Sequence, residues 1–280
     1  MAETQDKPRI EAQAADALHD EEGAIRAEFV EIVAAAIAAE DSERVRKLAA
    51  DLHEADLGAL IEALDHDDRP RLIELMGRDF DFAALTEVDD SVREEILEEL
   101  PSETVAEGML ELETDVAVEI LEDLDAADQA EILDKMPAVD RVALRRSLDY
   151  PEDSAGRLMQ TTLVTAPPLW TVGQMIDHLS ETDADDLPDS FFEIFVVDPG
   201  HRLLGNVFLD TLLKARRTTR LEDILDTDRR RVTVDEDREE VARLFGRYNL
   251  VSAPVVDAGD RLVGVITIDD VVDVIQEEAE

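Results

Sequence analysis

The side chains best placed to do chemistry in this sequence are its carboxylates. There are 71 Asp and Glu against 27 Lys and Arg in 280 residues, a formal charge of −44. Carboxylate oxygens are the natural ligands of a hard divalent cation, and a small one keeps much of its water and is held by only one or two acids. Such sites leave no strict motif, so a dense acidic surface can form several weak ones where two acidic faces approach. The competing reading is that most of these acids are solvated surface, which favours solubility and salt tolerance. A loop-type calcium site fits nowhere. Asp183 and Asp185 lead into Leu187 and Pro188, and Asp65 and Asp67 into Arg69, where a further ligand and a turn glycine are required.

Other chemistries have less support. The absence of cysteine excludes disulfides, zinc-thiolate and iron–sulfur sites and thiol nucleophiles. The histidines His19, His53, His66, His178 and His201 are scattered. No HExxH, Gly-x-Ser-x-Gly elbow or P-loop is present, so the chain is not expected to be an enzyme. The charge opposes binding to nucleic acid and to anionic lipid headgroups. Met1–Asp20 lacks an apolar signal segment, and the most apolar stretch, Phe29–Ala39, carries Glu31 and is too short to span a bilayer. The chain is expected to be soluble.

Two kinds of periodicity position these acids. From about Ala24 to Tyr150, apolar residues recur at helical spacing. A unit of the form apolar-Leu-x-x-Leu/Met recurs in Ile96-Leu97-Glu98-Glu99-Leu100, Ile120-Leu121-Glu122-Asp123-Leu124 and Ile132-Leu133-Asp134-Lys135-Met136. Degenerate copies follow Met109 and Leu144. Pro101, Asp125, Pro137 and Asp149 fall at unit ends, where Pro cannot continue a helix and Asp can cap the next. The pattern predicts an all-α stack of short helices, a small superhelix over 24–150. Residues 1–23 are expected to be flexible.

From about Thr162 the pattern alternates strand and helix. Val196-Val197-Asp198-x-Gly200-x-Arg202-Leu203-x-Gly205 returns as Val255-Val256-Asp257-x-Gly259-x-Arg261-Leu262-x-Gly264, with Asp210 and Asp269 in register. This is a strand, a tight turn with Gly, a second strand and a helix begun by Asp. Helices over Val172–Leu179 and Glu239–Tyr248 precede each copy, with short strands around Val164 and Val232. Each unit is therefore β-α-β-β-α, over 162–222 and 223–280, after a linker at 151–161. The fold class is mixed, all-α followed by α/β. Trp170 is expected to pack in the first unit's core.

The tandem repeat resembles a pair of CBS domains. Joined to the helical half through Tyr150-Pro151-Glu152-Asp153-Ser154-Ala155-Gly156-Arg157-Leu158-Met159, it resembles the cytosolic part of the MgtE family of magnesium channels. Trp170-Thr171-Val172-Gly173, Glu239-Glu240-Val241-Ala242-Arg243-Leu244-Phe245 and the run Val263–Ile275 carry the same likeness. The resemblance covers all but the first twenty or so residues. It implies a homodimer through the CBS units and a transmembrane pore domain after the second one. The last helix is expected to start near Asp269 and run on to Glu280, as in a chain cut at a domain boundary.

The resemblance also implies where Mg²⁺ would bridge the helical and CBS domains. Asp115 and Glu119 match family acids and lie a turn apart on one helix face. On the CBS side the matches are Asp270 and Asp273, together with Glu239 and the carbonyl of Gly246. Two departures stand out: a family acid is Asn249 here, and another aligns with Ala83, which leaves at least one bridging site weakened or absent. Asp270 also reads as a first-turn acid favouring the helix dipole. CBS pairs bind adenine nucleotides, ATP or AMP, through Gly-x-x-Ser/Thr-x-x-Asp. The second unit has Gly264, Thr267 and Asp270, whereas the first has Phe208 and Thr211 in place of the pair. Asp270 cannot easily serve nucleotide and metal in one geometry. Two functions follow as expectations: a Mg²⁺ sensor that closes when ions bridge acidic faces, and an adenine-nucleotide sensor acting on a separate partner. A salt-adapted scaffold is the third.

Overall fold

In the first half, helix boundaries fall where the sequence changes chemistry. The structure, a computed structural model, describes residues 18–20, 24–183, 186–227 and 230–277. Nine α-helices are described before Tyr150: α1 (Ala27–Ala38), α2 (Ser42–Ala49), α3 (Glu54–Ala63), α4 (Arg69–Met76), α5 (Asp90–Glu99), α6 (Ser102–Met109), α7 (Thr114–Glu122), α8 (Ala126–Lys135) and α9 (Ala138–Leu148). Caps explain several starts. Asp41 accepts from Arg44 N at 3.1 Å, and Asp125 accepts from Ala127 N at 2.8 Å and Asp128 N at 3.0 Å. Pro70 sits in the first turn of α4, where its missing N–H costs nothing, and Pro101 directly precedes α6. The repeated apolar unit is the core: Ile96, Leu97, Leu100, Ile120, Leu121, Leu124, Ile132, Leu133 and Met136 are all buried.

The chain divides into two units. One runs up to Leu112 and adds Glu119–Arg141; the other is Glu113–Val118 with Val142–Glu280. In the first unit Arg93 is a buried cation. The Arg93 guanidinium reaches Asp123 at 2.6 Å, Asp90 at 2.9 Å and Glu119 at 3.3 Å, and donates to the Leu85 carbonyl at 3.3 Å. Burying a guanidinium is tolerable only with this degree of pairing.

The second unit holds α10 (Ala155–Leu158), β1 (Thr165–Ala166), α11 (Val172–Glu181), β2 (Glu193–Val197), β3 (Leu203–Phe208) and α12 (Leu209–Lys214). It continues with β4 (Val232–Thr233), α13 (Arg238–Tyr248), β5 (Ser252–Val256), β6 (Leu262–Thr267) and α14 (Ile268–Glu277). The strands form two sheets of identical topology, β1-β2-β3 and β4-β5-β6, each with a parallel pair and then an antiparallel hairpin. Both hairpins shift register at the same place, Val196/Val197 and Val255/Val256. Asp198 Oδ1 accepts from Gly200 N and Arg202 N at 2.8 and 2.9 Å, and Asp257 Oδ1 from Gly259 N and Arg261 N at 2.7 and 3.0 Å. The turns place positive φ on His201 (62°) and Asp260 (60°) rather than on the glycines that follow Asp198 and Asp257.

Each repeat has its own apolar core, and Phe195, Val197, Leu262 and Val265 form a third cluster drawn from both. Trp170 is half-buried against the first core, edge-on to His178 at 5.2 Å. The residues expected as a linker, 151–161, are folded into the second repeat. Ala155 N donates to Glu236 O at 2.7 Å, Gly156 N to Val234 O at 2.9 Å, and Gln160 exchanges two backbone bonds of 3.0 Å with Val265. The symmetric event occurs in the first repeat, where Asn206 and Asp226 exchange bonds of 3.1 and 2.9 Å. Nearly all of the N-terminal stretch expected to be flexible lies outside the described residues, as does the last turn toward Glu280. Among the described residues no helix is long and apolar enough to cross a membrane.

Glycines report how tightly these crossings pack. A Cβ on Gly264 would lie 2.4 Å from Met159 Sδ and 2.8 Å from Gln160 O, whereas one on Gly246 would meet nothing within 4 Å. Gly264→Ala is therefore expected to destabilise by about 1–3 kcal/mol. Gly246→Ala, inside α13, is expected to stabilise by up to about 1 kcal/mol. Urea unfolding of the two variants checks both signs.

Candidate functional site

Two acids of the second unit, Asp115 and Asp270, meet from positions 155 residues apart in sequence (270 − 115). Each lies in the first turn of a helix, α7 and α14 respectively. Asp270 is fixed by the residue that closes β6: its Oδ2 accepts from Thr267 N at 2.7 Å and from Thr267 Oγ1 at 2.8 Å. This is the reciprocal bond of a helix cap, so the first-turn role expected for Asp270 is present. Asp115 and Asp270 lie close enough for each to act on the other's titration.

The electrostatics follow from burial without a base. Asp115 is 9% exposed. Burial first, then the charges of Asp270 and Glu113, hold its carboxyl well above the ordinary range. Burial likewise pushes Asp270 up to about 6, against the lowering effect of the Thr267 hydrogen bonds. Glu113 is also raised, chiefly by burial, and accepts from Asp189 N at 3.0 Å with Asp189 and Asp269 adding like charge. Among the described residues none of these five acids is in an ion pair with a base. No cluster of three or more Asp, Glu or His among the described residues forms a ready metal cage. What the pair offers is two oxygen ligands whose shared charge is uncompensated.

The remaining candidates are placed differently. Glu119, on the same helix as Asp115, is engaged by Arg93 and so already partly neutralised. Glu239 pairs with Arg243 at 2.7 Å on its own helix. Gly246 lies in the last turn of α13, where helix carbonyls lack intrahelical partners. Asn249 caps that helix in the left-handed conformation (φ 50°, ψ 50°), a local reason for Asn at this position. Asp273 is exposed on α14, and Ala83 lies in the short 3₁₀ turn Phe82–Leu85. Sequence reasoning missed Glu113, Asp189 and Arg93. Only Arg93 left a trace, as a lone Arg three residues after an Asp on an apolar-spaced helix.

The nucleotide motif is only partly available. Gly264 makes room for Met159 and Gln160 rather than for a ligand, and the Thr267 hydroxyl already serves Asp270. Beside Thr267, between the two repeats, lies a small cleft of about 20 Å³ that is partly open to solvent. Phe191, Phe192, Phe195, Gln160 and Glu193 contribute to its walls. Glu193 is buried and accepts from Asn206 Nδ2 and Ser252 Oγ, each at 2.6 Å.

Comparison with known proteins gives a consistent picture. Residues 52–153 match the family described as MgtE intracellular N domain, and residues 221–277 match the CBS domain. The chain is 38% identical over 148 residues to the magnesium transporter MgtE of Thermus thermophilus, a match covering 53% of this chain and 32% of that protein. It is 32% identical over 150 residues to the MgtE of Bacillus subtilis, again over 53% of this chain and 32% of the relative. The matches thus span about a third of the length of these curated relatives. A crystal structure of the soluble part of a magnesium transporter superposes with a TM-score of 0.77 at 27% identity, covering 90% of this chain and 99% of that one. The cytosolic domain of the Mg²⁺ channel MgtE, solved in complex with ATP, gives 0.79 at 30% identity over 88% and 99%.

The raised carboxyls make stability depend on pH. A group whose folded pKa exceeds its unfolded one stabilises fully below the unfolded value and loses that contribution as pH rises through the folded value. For Asp270 the window runs from the ordinary 3.8 to about 6. Without divalent cations, unfolding free energy is expected to fall across that window, by on the order of 2–3 kcal/mol. Asp270→Asn should remove that part of the fall, leaving the slope from the remaining acids, as chemical denaturation at stepped pH will measure.

Proposed function

The chain belongs to the MgtE family, as its intracellular N domain followed by a CBS pair, and we propose that it is the Mg²⁺-sensing regulatory region of a magnesium channel of that kind. In this proposal it works on the cytoplasmic face of a membrane, as a homodimer through its CBS units, and controls a pore domain. The observation that carries the reading is the Asp115–Asp270 pair: a buried and a half-buried carboxyl, one from the helical domain's sequence and one from the second CBS unit, with no ion-paired base among the described residues. Two unit charges about 4 Å apart cost roughly 4 kcal/mol at an effective dielectric near 20. At low Mg²⁺ this repulsion favours separation of the acids. At high Mg²⁺ an ion bridges the carboxylates and keeps most of its water. Glu239, the Gly246 carbonyl and Asp273 are proposed as further ligands. Glu119 contributes only if it leaves Arg93.

A second reading has its own support. The cleft beside Thr267 is bounded by aromatic side chains, and a solved relative was crystallised with ATP. On this reading the CBS pair also binds an adenine nucleotide, either in the channel or as a sensor for a separate partner.

Small-angle scattering across a MgCl₂ titration, beside KCl at matched ionic strength, tests the sensor reading. Compaction is expected in MgCl₂ alone, with the midpoint displaced about tenfold or more in Asp115→Ala and Asp270→Ala, a change of roughly 1.4 kcal/mol. Equal compaction in both salts would mean that the charge of −44 is merely screened. Unchanged midpoints in both variants would remove the residue assignment.

A further inference from the structure

The first unit carries an open groove of about 560 Å³, and all of its lining lies before Leu112. Its floor is apolar. The rings of Phe80 and Phe82 meet edge to face there at 5.1 Å. Phe82 packs so closely on α6 that a Cβ on Gly108 would lie 2.1 Å from its Cδ2. Leu110, just past α6, adds a large apolar side chain that is 42% exposed. The rim is acidic: Glu74 comes from α4, Glu107 from α6 and Glu111 from the turn after it. Other acids of this unit hold bases. Glu95 pairs with Arg69, Asp79 with Arg46, Glu103 with Lys135 and Asp134 with Arg141. Among the described residues the three rim carboxylates are in no ion pair, and neither is Arg78, which shares the rim with them. An exposed leucine beside a roomy apolar floor marks an interaction surface. The carboxylates around it set the sign of what it accepts.

We propose that this groove docks a basic amphipathic helix of a partner protein, its apolar face toward Phe80, Phe82 and Leu110 and its Lys or Arg side chains toward Glu74, Glu107 and Glu111. Acids from two different helices around one apolar floor match a helix whose apolar stripe is flanked by bases. An acidic helix would meet repulsion from the rim and from the net charge of −44. Arg78 opposes the partner's bases at one point of the rim, so it limits where they sit and weakens the contact there. None of these residues belongs to the Asp115–Asp270 pair, and the inference stands apart from the sensor reading.

Fluorescence anisotropy of the whole chain with labelled synthetic helices of about 14 residues tests this. The salt is held at about 0.15 M, so that diffuse attraction is screened. One helix carries leucines at helical spacing and lysines elsewhere, a second has serine for each leucine, and a third has glutamate for each lysine. The Leu/Lys helix is expected to saturate the chain at one site and to bind about tenfold or more tighter than either of the others. Glu107→Lys combined with Glu111→Lys should cost about tenfold or more, and Leu110→Ser about threefold or more. Arg78→Gln should tighten binding. Glu98→Lys combined with Glu99→Lys makes the same charge change on exposed acids of α5 that do not line the groove, and should cost less than about threefold. Equal losses in the two charge-reversed variants would show that the overall field holds the helix, and would overturn the inference. Equal binding of the leucine and serine helices, or no saturable binding, would overturn it too. The comparison of the three helices on the parent chain decides the matter even if a variant fails to fold.

Discussion

A carboxyl can be buried beside another carboxyl only if something supplies positive charge, and the second unit is organised around that constraint. Burial holds both Asp115 and Asp270 above the ordinary carboxylate range, and among the described residues neither is in an ion pair with a basic side chain. The first unit solves the same problem the opposite way. There, Arg93 is held against Asp90, Glu119 and Asp123, so neutralisation is built into the chain. Where the protein supplies its own cation, the acids are committed. Where it does not, burial leaves the carboxyls above their ordinary range, open to neutralisation from solution. This contrast separates a structural acid cluster from one that can respond to its surroundings, in a sequence where acids are everywhere.

The CBS scaffold gives that pair its rigidity. Each repeat takes a strand-like partner from the chain ahead of the other: Gln160 pairs with Val265 in β6, and Asp226 with Asn206 in β3. Leu203 N and Leu262 N then donate across to Asp260 O and His201 O at 3.2 and 3.0 Å. The exchange ties β6 to the chain that carries Met159, and β6 ends in Thr267, which fixes Asp270. A shift in any of these elements is felt at the carboxyl pair, because packed elements move as units rather than deforming continuously.

What was legible in the sequence was local. The apolar-Leu-x-x-Leu unit became buried helix faces, and the Val-Val-Asp-x-Gly-x-Arg-Leu repeat became two hairpins with the same bulge, since both depend on neighbours within a few residues. The family likeness led to Asp115 and Asp270, but spacing alone could not pair them, because contact between residues so distant leaves no periodic trace. The same limit hid Glu113 and Asp189. Arg93 and Glu119 show the converse. Helical spacing put Glu119 on the same helix as Asp115, yet an Arg 26 positions earlier determines what it binds. The Pro-initiated stretch at 151–161 reads as a spacer because its few apolar residues make sense only against a strand more than a hundred positions later.

The central claim is that Asp115 and Asp270 act as one ligand for Mg²⁺. A double-mutant cycle on Mg²⁺ affinity, comparing Asp115→Asn, Asp270→Asn and the combined variant by calorimetry, tests it most directly. The account predicts that each single change costs about tenfold or more and that the combination costs little beyond either one. Additive losses, or affinities unmoved by any of the three, would contradict it.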